Sequence, residues 1–346
     1  MTSRRTLLKS ATALVAASFI APGVALADDK LPVVATFSVL GDMVSRIGGE
    51  HVALTTLVGR GGDTHVYNPT PQDAAAVAAA DVLFMNGLEF EGWLERLAEA
   101  APFEGETVIA TAGIDAIAYD EAHDDHDEHD DHGHDEHEEH AHDDHEDHEE
   151  HEHEEHAGHD DHDDHHGHDH GAFDPHTWQT VENAVIYADN IAAGLAKADP
   201  ENAGDYYANR AAFVAELEAL GVEIDALMAT IPEDKRTVVT PHDAFGYLGA
   251  RYDLTFVAPQ GMSTESEATA ADVAALITQI REYDISAVFI ETITDNRLVE
   301  MIASETGATV GGTLYSGALS EEGGPAATYL DMLRHNAETI AAALGQ

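Results

Sequence analysis

Short apolar runs alternate with helix-like segments twice along the chain, once on each side of a long amphipathic stretch. On the N-terminal side, the apolar runs lie at residues 33–36, 54–57, 82–85 and 107–110, with helix-like segments at 41–48 and 71–80. On the C-terminal side, they lie at residues 237–240, 254–257, 287–290 and 309–314, with helix-like segments at 243–251 and 270–283. Strands that alternate with helices in this way are typical of βα units and parallel sheets. The pattern therefore predicts an α/β protein of two lobes, each with a mostly parallel four-stranded sheet flanked by helices.

The stretch between the two halves has an apolar stripe at helical spacing. Its apolar residues follow one another at steps of four and three: Phe213, Leu217, Leu220, Ile224 and Leu227. Residues at this spacing share one face of an α-helix, so the stripe predicts a helix that packs on both lobes. We expect one long, rigid linker helix at residues 201–231, between an N-terminal lobe at 28–200 and a C-terminal lobe at 232–346. A single helical connection restricts opening of the lobes more than paired extended strands would.

The first residues of the chain have the features of an export signal. Arg4, Arg5 and Lys9 precede an apolar run at residues 11–20, and a small-residue site, Ala-Leu-Ala, follows. The paired arginines are typical of the twin-arginine route, and the apolar run is too short to span a bilayer. An N-terminal membrane anchor or a buried helix is the alternative. We expect residues 1–27 to be a cleaved signal peptide and the mature protein to act in the periplasm as a monomer, without stable insertion into the membrane.

Composition narrows the class of ligand. The chain carries 67 Asp and Glu against 15 Lys and Arg, which gives a formal net charge of -52 at pH 7. This charge repels nucleic acid and anionic lipid and attracts cations. The sequence contains no cysteine, so thiolate ligands, disulfides and a lipid attached to a cysteine are not expected. We therefore expect cationic ligands and no nucleic-acid partner.

Residues 120–171 are a low-complexity insert. They contain 19 of the 24 histidines and 26 of the 67 acids, and neither Lys nor Arg. Because they hold almost no apolar residue, we expect the insert to be disordered. Imidazole binds zinc, copper and nickel well, which predicts several weak, interchangeable sites and a role as auxiliary zinc collector. The alternative is an acidic tract that is only solvated. Since imidazole must be neutral to bind metal, capture by the insert should weaken in mild acid.

Three of the five histidines outside the insert occupy strand or loop ends. His65 lies in VGRGGDTHVYNPTPQD, a glycine-rich loop after a predicted strand; His176 lies in FDPHTW, just after the insert; and His242 lies in VVTPHDAFGY, just past another strand. Open α/β sheets bind ligands outside the carboxyl ends of their strands, so these side chains are expected to meet between the lobes. Three neutral imidazoles favour zinc or a neighbouring late metal over calcium, magnesium or manganese. We expect His51 and His335 to be structural.

These motifs, together with one near the C-terminus, resemble a known family. THVYNPTPQD, FDPHTW, VVTPHDAFGYL and GPAATYLDMLRHN are similar to the motifs of ZnuA-like zinc-binding periplasmic proteins, the cluster A-I solute receptors of ABC importers. The resemblance covers nearly the whole mature chain. It implies two α/β lobes joined by a long rigid helix, zinc between them as the transported ligand, His65, His176 and His242 as its ligands, and an importer permease as partner. It also implies an acidic, histidine-rich insert in the N-terminal lobe ahead of the second ligand.

The fourth zinc ligand is the point at which the sequence departs from part of this family. Some relatives carry an Asp in the segment similar to TLYSGALSEEGGPAATY, and this chain has Gly317 at the matching place. Water, Asp63 or a histidine from the insert could fill the position. We favour water, since three histidines plus water is a normal zinc site. Glu291 and Asp243 are candidates for orienting the imidazoles, with strand-end and helix-cap polarity as the alternative.

The function predicted from these features is high-affinity zinc capture in the periplasm and delivery to an ABC-type importer, without catalysis. A zinc hydrolase or hydratase is one alternative, because three histidines and a metal-bound water can also be catalytic. The sequence contains neither HExxH nor GxSxG, two motifs of hydrolases. A zinc storage or buffer protein is the other alternative, in which the insert would hold the metal. Copper and nickel also bind imidazole well, so the sequence leaves the metal open.

Overall fold

The computed structural model describes residues 30–119, 172–285 and 287–345. The predicted signal peptide, residues 1–27, and the predicted histidine-rich insert, residues 120–171, lie outside the described residues. Within the described part of the chain, no helix combines the length and the apolarity needed to cross a bilayer.

The N-terminal lobe is built on a four-stranded parallel sheet. Its strands are β1 (Leu31–Phe37), β2 (Val52–Val58), β3 (Val82–Met85) and β4 (Glu106–Ile109), in the order β2-β1-β3-β4. Its helices are α1 (Ser38–Gly48), α2 (Pro71–Ala78), α3 (Leu94–Ala100) and α4 (Val181–Ala198). β1 is central, with Val33 opposite both Leu54 and Val82. The last five residues of β1 are buried, which explains why a central parallel strand is an almost continuous apolar run.

A 26-residue helix, α5 (Ala203–Met228), follows α4 and leads to the C-terminal lobe. Four residues of the predicted apolar stripe are at most 4% exposed: Phe213, Leu217, Leu220 and Ile224. Leu227 is only partly buried, and the next residue, Met228, takes the last buried position on the helix. The stripe therefore drifts by one residue at its end, as expected for a straight helix with 3.6 residues per turn.

The C-terminal lobe repeats the architecture of the first. Its strands are β5 (Thr237–Val239), β6 (Thr255–Val257), β7 (Ala287–Glu291) and β8 (Thr309–Leu314), all parallel, in the order β6-β5-β7-β8. Its helices are α6 (Gly246–Tyr252), α7 (Ala270–Glu282), α8 (Arg297–Thr306) and α9 (Tyr329–Leu344). The prediction of two lobes with parallel four-stranded sheets is thus confirmed.

One apolar core connects the two lobes through α5. This helix packs against α1 and α4 of the N-terminal lobe and against α9 of the C-terminal lobe. β7 shows the alternation of a strand with two covered faces: Phe289 belongs to the shared core, and Val288 belongs to a smaller cluster with α7 and α8. Trp178 Nε1 also donates a 2.8 Å hydrogen bond to Ser316 O across the lobes. These contacts resist separation of the lobes.

The start of α6 differs from the prediction. The helix expected at residues 243–251 begins at Gly246, because the preceding residues form a turn. In this turn Asp243 N donates to Gly261 O at 3.2 Å, and His242 forms a parallel bridge with Gln260. His242 therefore lies at the carboxyl end of β5, where ligand-binding residues of α/β sheets are found.

Candidate metal centre

His65 is carried by the loop between β2 and α2. Asp63 Oδ1 accepts a 2.9 Å hydrogen bond from His65 N, and the carbonyl of Thr64 accepts one of 2.8 Å from Trp93 Nε1. Downstream, α2 begins with a capping box between Thr70 and Asp73 that fixes the exit of the loop. The loop is therefore held on both sides of His65, whose side chain is only half-buried.

His176 is carried by the segment that leads into α4. A short antiparallel bridge between Ala118 and Phe173 brings the chain back to the N-terminal lobe. Asp174 Oδ1 then accepts a 2.9 Å hydrogen bond from His176 N and lies 2.9 Å from His176 Nδ1. The imidazole is fully buried. With Nδ1 paired to a carboxylate, Nε2 is the nitrogen left for a ligand.

His242 and Glu291 form the corresponding pair in the C-terminal lobe. They lie at the carboxyl ends of β5 and β7, which are neighbours in the sheet. Glu291 Oε2 is 2.7 Å from His242 Nδ1, although off the ideal hydrogen-bond direction, and Oε1 accepts from His242 N at 3.3 Å. Ser316 Oγ donates to Glu291 as well. His242 Nε2 is buried without a hydrogen-bond partner among the described residues.

The three imidazoles meet between the lobes. Their ring centroids are 5.3, 5.8 and 5.5 Å apart, and one nitrogen from each lies within 4.8 Å of the others. Nε2 of His65 and Nε2 of His176 are 3.3 Å apart. Two nitrogens bound to a tetrahedral zinc ion at about 2.05 Å would be separated by about 3.3 Å. The structure thus brings the three predicted residues together at a spacing that fits one metal ion.

The protonation of the metal-free site follows from burial and charge. Burial, reinforced by the neighbouring His176 and His242 rings, holds the pKa of His65 well below its ordinary value of 6.5. Burial alone would also lower the pKa of His242, but the Glu291 carboxylate outweighs it and the pKa is raised. His65 is therefore neutral and ready to bind a cation. Because Nδ1 of His242 faces Glu291, a metal that binds Nε2 has to displace the Nε2 proton of the protonated ring, and the Nδ1 proton stays with the carboxylate.

Among the described residues, no carboxylate joins this group of histidines as a further candidate metal ligand. Within the described residues, the cluster able to hold a metal consists of the three histidines alone. Gly317 is buried, and a Cβ atom there would touch only Ile293 Cδ1, at 3.5 Å. Asp63 is engaged elsewhere: in addition to its bond with His65 N, its Oδ2 accepts a 2.5 Å hydrogen bond from Thr264 Oγ1. Asp63 therefore links the loops of the two lobes.

The other residues considered from the sequence are the two acids proposed to orient the imidazoles and the two histidines expected to be structural. Glu291 takes the orienting position considered for it, whereas Asp243 makes its hydrogen bond through its backbone and is partly buried. His51 lies 2.9 Å from Asp205, and His335 lies 2.9 Å from a backbone carbonyl, both away from the cluster. Asp174 was missed by the sequence reasoning, although an acid two residues before a candidate ligand, as in FDPH, is a signal that could have indicated it.

A cleft of about 780 Å³ leads to the site. It is lined by His65 and Phe90 from the N-terminal lobe and by Met262 and Ser263 from the C-terminal lobe. His176 and His242 are fully buried, so the half-buried His65 is the member of the cluster that faces this cleft. Among the three histidines, His65 is therefore the one that this cleft makes accessible from the solvent.

Sequence comparisons give the site a context. The model of the ZnuA family, described as "Zinc-uptake complex component A periplasmic", matches residues 33–343. The chain is 30% identical over 336 residues to the manganese-binding lipoprotein MntA of Halalkalibacterium halodurans, covering 96% of each. It is 28% identical over 317 residues to the iron-binding protein YfeA of Yersinia pestis, covering 92% of this chain and 87% of that protein.

Solved structures show the same fold. The periplasmic zinc binding protein TroA from Treponema pallidum has a TM-score of 0.75 at 25% identity, over 92% of this chain and 100% of that chain. A manganese-bound variant of the periplasmic metal binding protein from Candidatus Liberibacter asiaticus has a TM-score of 0.72 at 26% identity, over 91% of this chain and 100% of that chain. The names of these proteins refer to three different metals, so the names do not select one.

Proposed function

The chain belongs to the ZnuA family of periplasmic zinc-uptake components, and on that premise we propose that it captures Zn²⁺ in the periplasm and delivers it to the permease of an ABC importer. Family membership shows that the chain is the metal-binding, substrate-binding component of an ABC importer, and that the family consists of receptors, not enzymes. The hydrolase and hydratase alternatives are thereby removed.

The choice of zinc rests on one observation. Among the described residues, the cluster that could hold a metal consists of His65, His176 and His242 and includes no carboxylate. Imidazole nitrogen is a borderline donor that suits zinc, whereas manganese prefers carboxylate and carbonyl oxygen. The 3.3 Å separation of two Nε2 atoms also fits tetrahedral zinc. Water as the fourth ligand is consistent with Gly317, whose position offers room but no donor atom.

Two further parts of the proposal concern the segments outside the described residues. We propose that residues 1–27 direct export and that the histidine-rich insert, residues 120–171, is an auxiliary zinc collector. The insert rejoins the described chain at Ala172, four residues before His176. MntA is named a lipoprotein, whereas this sequence contains no cysteine.

The proposal is tested by equilibrium zinc titration against a competing chelator, with the mature chain and with a variant lacking residues 120–171. We expect one tight site in both proteins, and a loss of about 100-fold or more in affinity for His176→Ala and His242→Ala. His335→Ala is the matched control and should bind zinc as the wild type does. Tight binding that survives the loss of any cluster histidine would contradict the site, and a preference for Mn²⁺ over Zn²⁺ would contradict the metal.

A further inference from the structure

Residues 86–93, which connect β3 to α3, contact both histidine-bearing segments of the N-terminal lobe. We call them the bracing segment. At one end, Asn86 Nδ2 donates a 2.9 Å hydrogen bond to the carbonyl of the residue before His176. At the other end, Trp93 Nε1 donates a 2.8 Å hydrogen bond to the carbonyl of the residue before His65. The bracing segment therefore ties together two stretches of chain that are far apart in sequence.

The centre of the bracing segment places an aromatic ring against both imidazoles. Phe90 is 2% exposed, and its ring lies edge-on at 5.0 Å from the ring of His65 and 5.9 Å from that of His176. Phe37 and Trp178 pack on the same ring at 5.0 and 4.8 Å. Phe90 also lines the cleft that leads to the site. It is thus an apolar wall beside the imidazoles, next to the cleft that His65 also lines.

The backbone in front of this ring is strained. Gly87, Leu88 and Glu89 have φ angles of 88°, 54° and 62°, so three consecutive residues are in the left-handed region. This region is unfavourable for residues that carry a Cβ atom. A conformation of this kind persists only where its surroundings hold it, and such positions cluster at functional sites.

A buried carboxylate holds this turn. Glu91 is 5% exposed; its Oε1 accepts hydrogen bonds of 2.7 Å from Thr36 Oγ1 and from Asn86 N, and its Oε2 accepts one of 3.2 Å from Gly87 N. The Glu91 side chain lies outside the three-histidine cluster. It therefore joins the end of β1 to the start of the strained turn without contacting the metal.

We propose that Glu91 is a positioning residue for metal retention: its carboxylate fixes the left-handed turn, and the turn holds Phe90 against His65 and His176. With the wall in place, His65 cannot swing away from the other two histidines, and escape of the bound metal is slow. This inference rests on the proposed function only in that these histidines bind the metal. It applies to whichever divalent metal the site takes.

The test compares metal release from the full mature chain with release from Glu91→Gln. The amide keeps the shape of the side chain but replaces one acceptor by an NH₂ group that faces a donor, so the turn loses a hydrogen bond. We expect zinc release to an excess of chromophoric chelator, followed by stopped flow, to become about tenfold faster. Glu95→Gln removes the same charge from an exposed position on the same cleft and should change the rate by less than about twofold.

A second pair of variants separates positioning from a loss of stability. Phe90→Leu should also accelerate release, and the Glu91→Gln/Phe90→Leu double variant should release metal no faster than the faster single variant, since both act through one wall. A lower Tm of metal-free Glu91→Gln with an unchanged release rate would overturn the proposal, and so would additive effects of the two substitutions on the release rate.

If Glu91→Gln does not fold, Thr36→Val is the alternative variant, because it removes one hydrogen-bond donor to Glu91 and keeps the carboxylate. An unchanged release rate in Thr36→Val would equally overturn the proposal. Tight zinc binding by His176→Ala would refute the three-histidine site on which both proposals rest, and this titration result is distinct from an unchanged release rate in Glu91→Gln.

Discussion

Gly246 packs closely against the carboxylate of Asp174, which orients the imidazole of His176. A Cβ atom built on Gly246 would lie 2.5 Å from Asp174 Oδ2, whereas ordinary contact begins at 3.4 Å. In Gly246→Ala the carboxylate therefore has to move by about 0.9 Å, which stretches its 2.9 Å bond to His176 Nδ1 beyond the range of about 3.2 Å for such bonds. Loss of a carboxylate behind a metal-bound histidine costs about 10- to 100-fold in affinity. We expect zinc affinity to fall by that factor.

Chelator-competition titration of Gly246→Ala measures this loss directly. The substitution is at the first position of α6, where alanine is a better helix former than glycine. The Tm of the metal-free protein should therefore not fall. Gly317→Ala is the matched control, because its Cβ meets only Ile293 Cδ1 at an ordinary 3.5 Å. Wild-type zinc affinity in Gly246→Ala would contradict this expectation, since it would mean that Asp174 turns Oδ2 aside and keeps Oδ1 on His176.

Three other outcomes are expected. Gly317→Asp adds a carboxylate where there is room for one and should raise the Mn²⁺ affinity relative to Zn²⁺ by about tenfold, measured by competitive titration. Asp73→Ala removes the capping box of α2 and should lower the free energy of unfolding by about 1 kcal/mol at neutral pH, measured by urea unfolding. Burial raises the pKa of Asp73, but the hydrogen bonds from Thr70 outweigh it and hold the pKa below 3.8. The extra stability of the wild type over Asp73→Ala is therefore complete above that pH and is lost as pH falls through the lowered pKa. Deleting residues 120–171 should reduce the number of zinc ions bound at saturation, and the extra ions of the full chain should dissociate as pH falls past about 6.5, which calorimetry on either side of that pH would detect.

The fold could be predicted from local sequence patterns, and two of the candidate ligands could be predicted from their position just after predicted strands. The run at residues 33–36 is the centre of β1, because a strand buried on both faces has to be apolar over its length. His65 and His242 could be placed because each follows a predicted strand, and the carboxyl ends of parallel strands open towards one crevice. Both predictions need only the order of elements along the chain.

The residues that support the histidines, Asp174 and Glu91, could not be predicted in the same way, because their roles depend on contacts that the order of strands and helices does not specify. Asp174 acts on His176 through a local turn, for which the proline between them is the available sequence signal. Glu91 had no such signal: in NGLEFEGW it resembles an exposed acidic loop residue. Two of its donors come from the turn after β3 and one comes from β1, 55 residues away in sequence. Its burial is a consequence of how β1 and β3 pair, which a one-dimensional pattern does not encode.

The three histidines are not supported equally, and this bears on how a receptor can bind tightly and still release its metal. His176 and His242 are fully buried, and each has a carboxylate within 3 Å of Nδ1 (2.9 and 2.7 Å), which fixes the orientation of the ring. His65 is half-buried, and Asp63 holds it only through its backbone N–H. On the proposed function, full affinity needs all three nitrogens, whereas release needs the withdrawal of only one. On the proposed function, a permease that reaches into the cleft meets the least supported ligand first, because His65 is the cluster member that lines it.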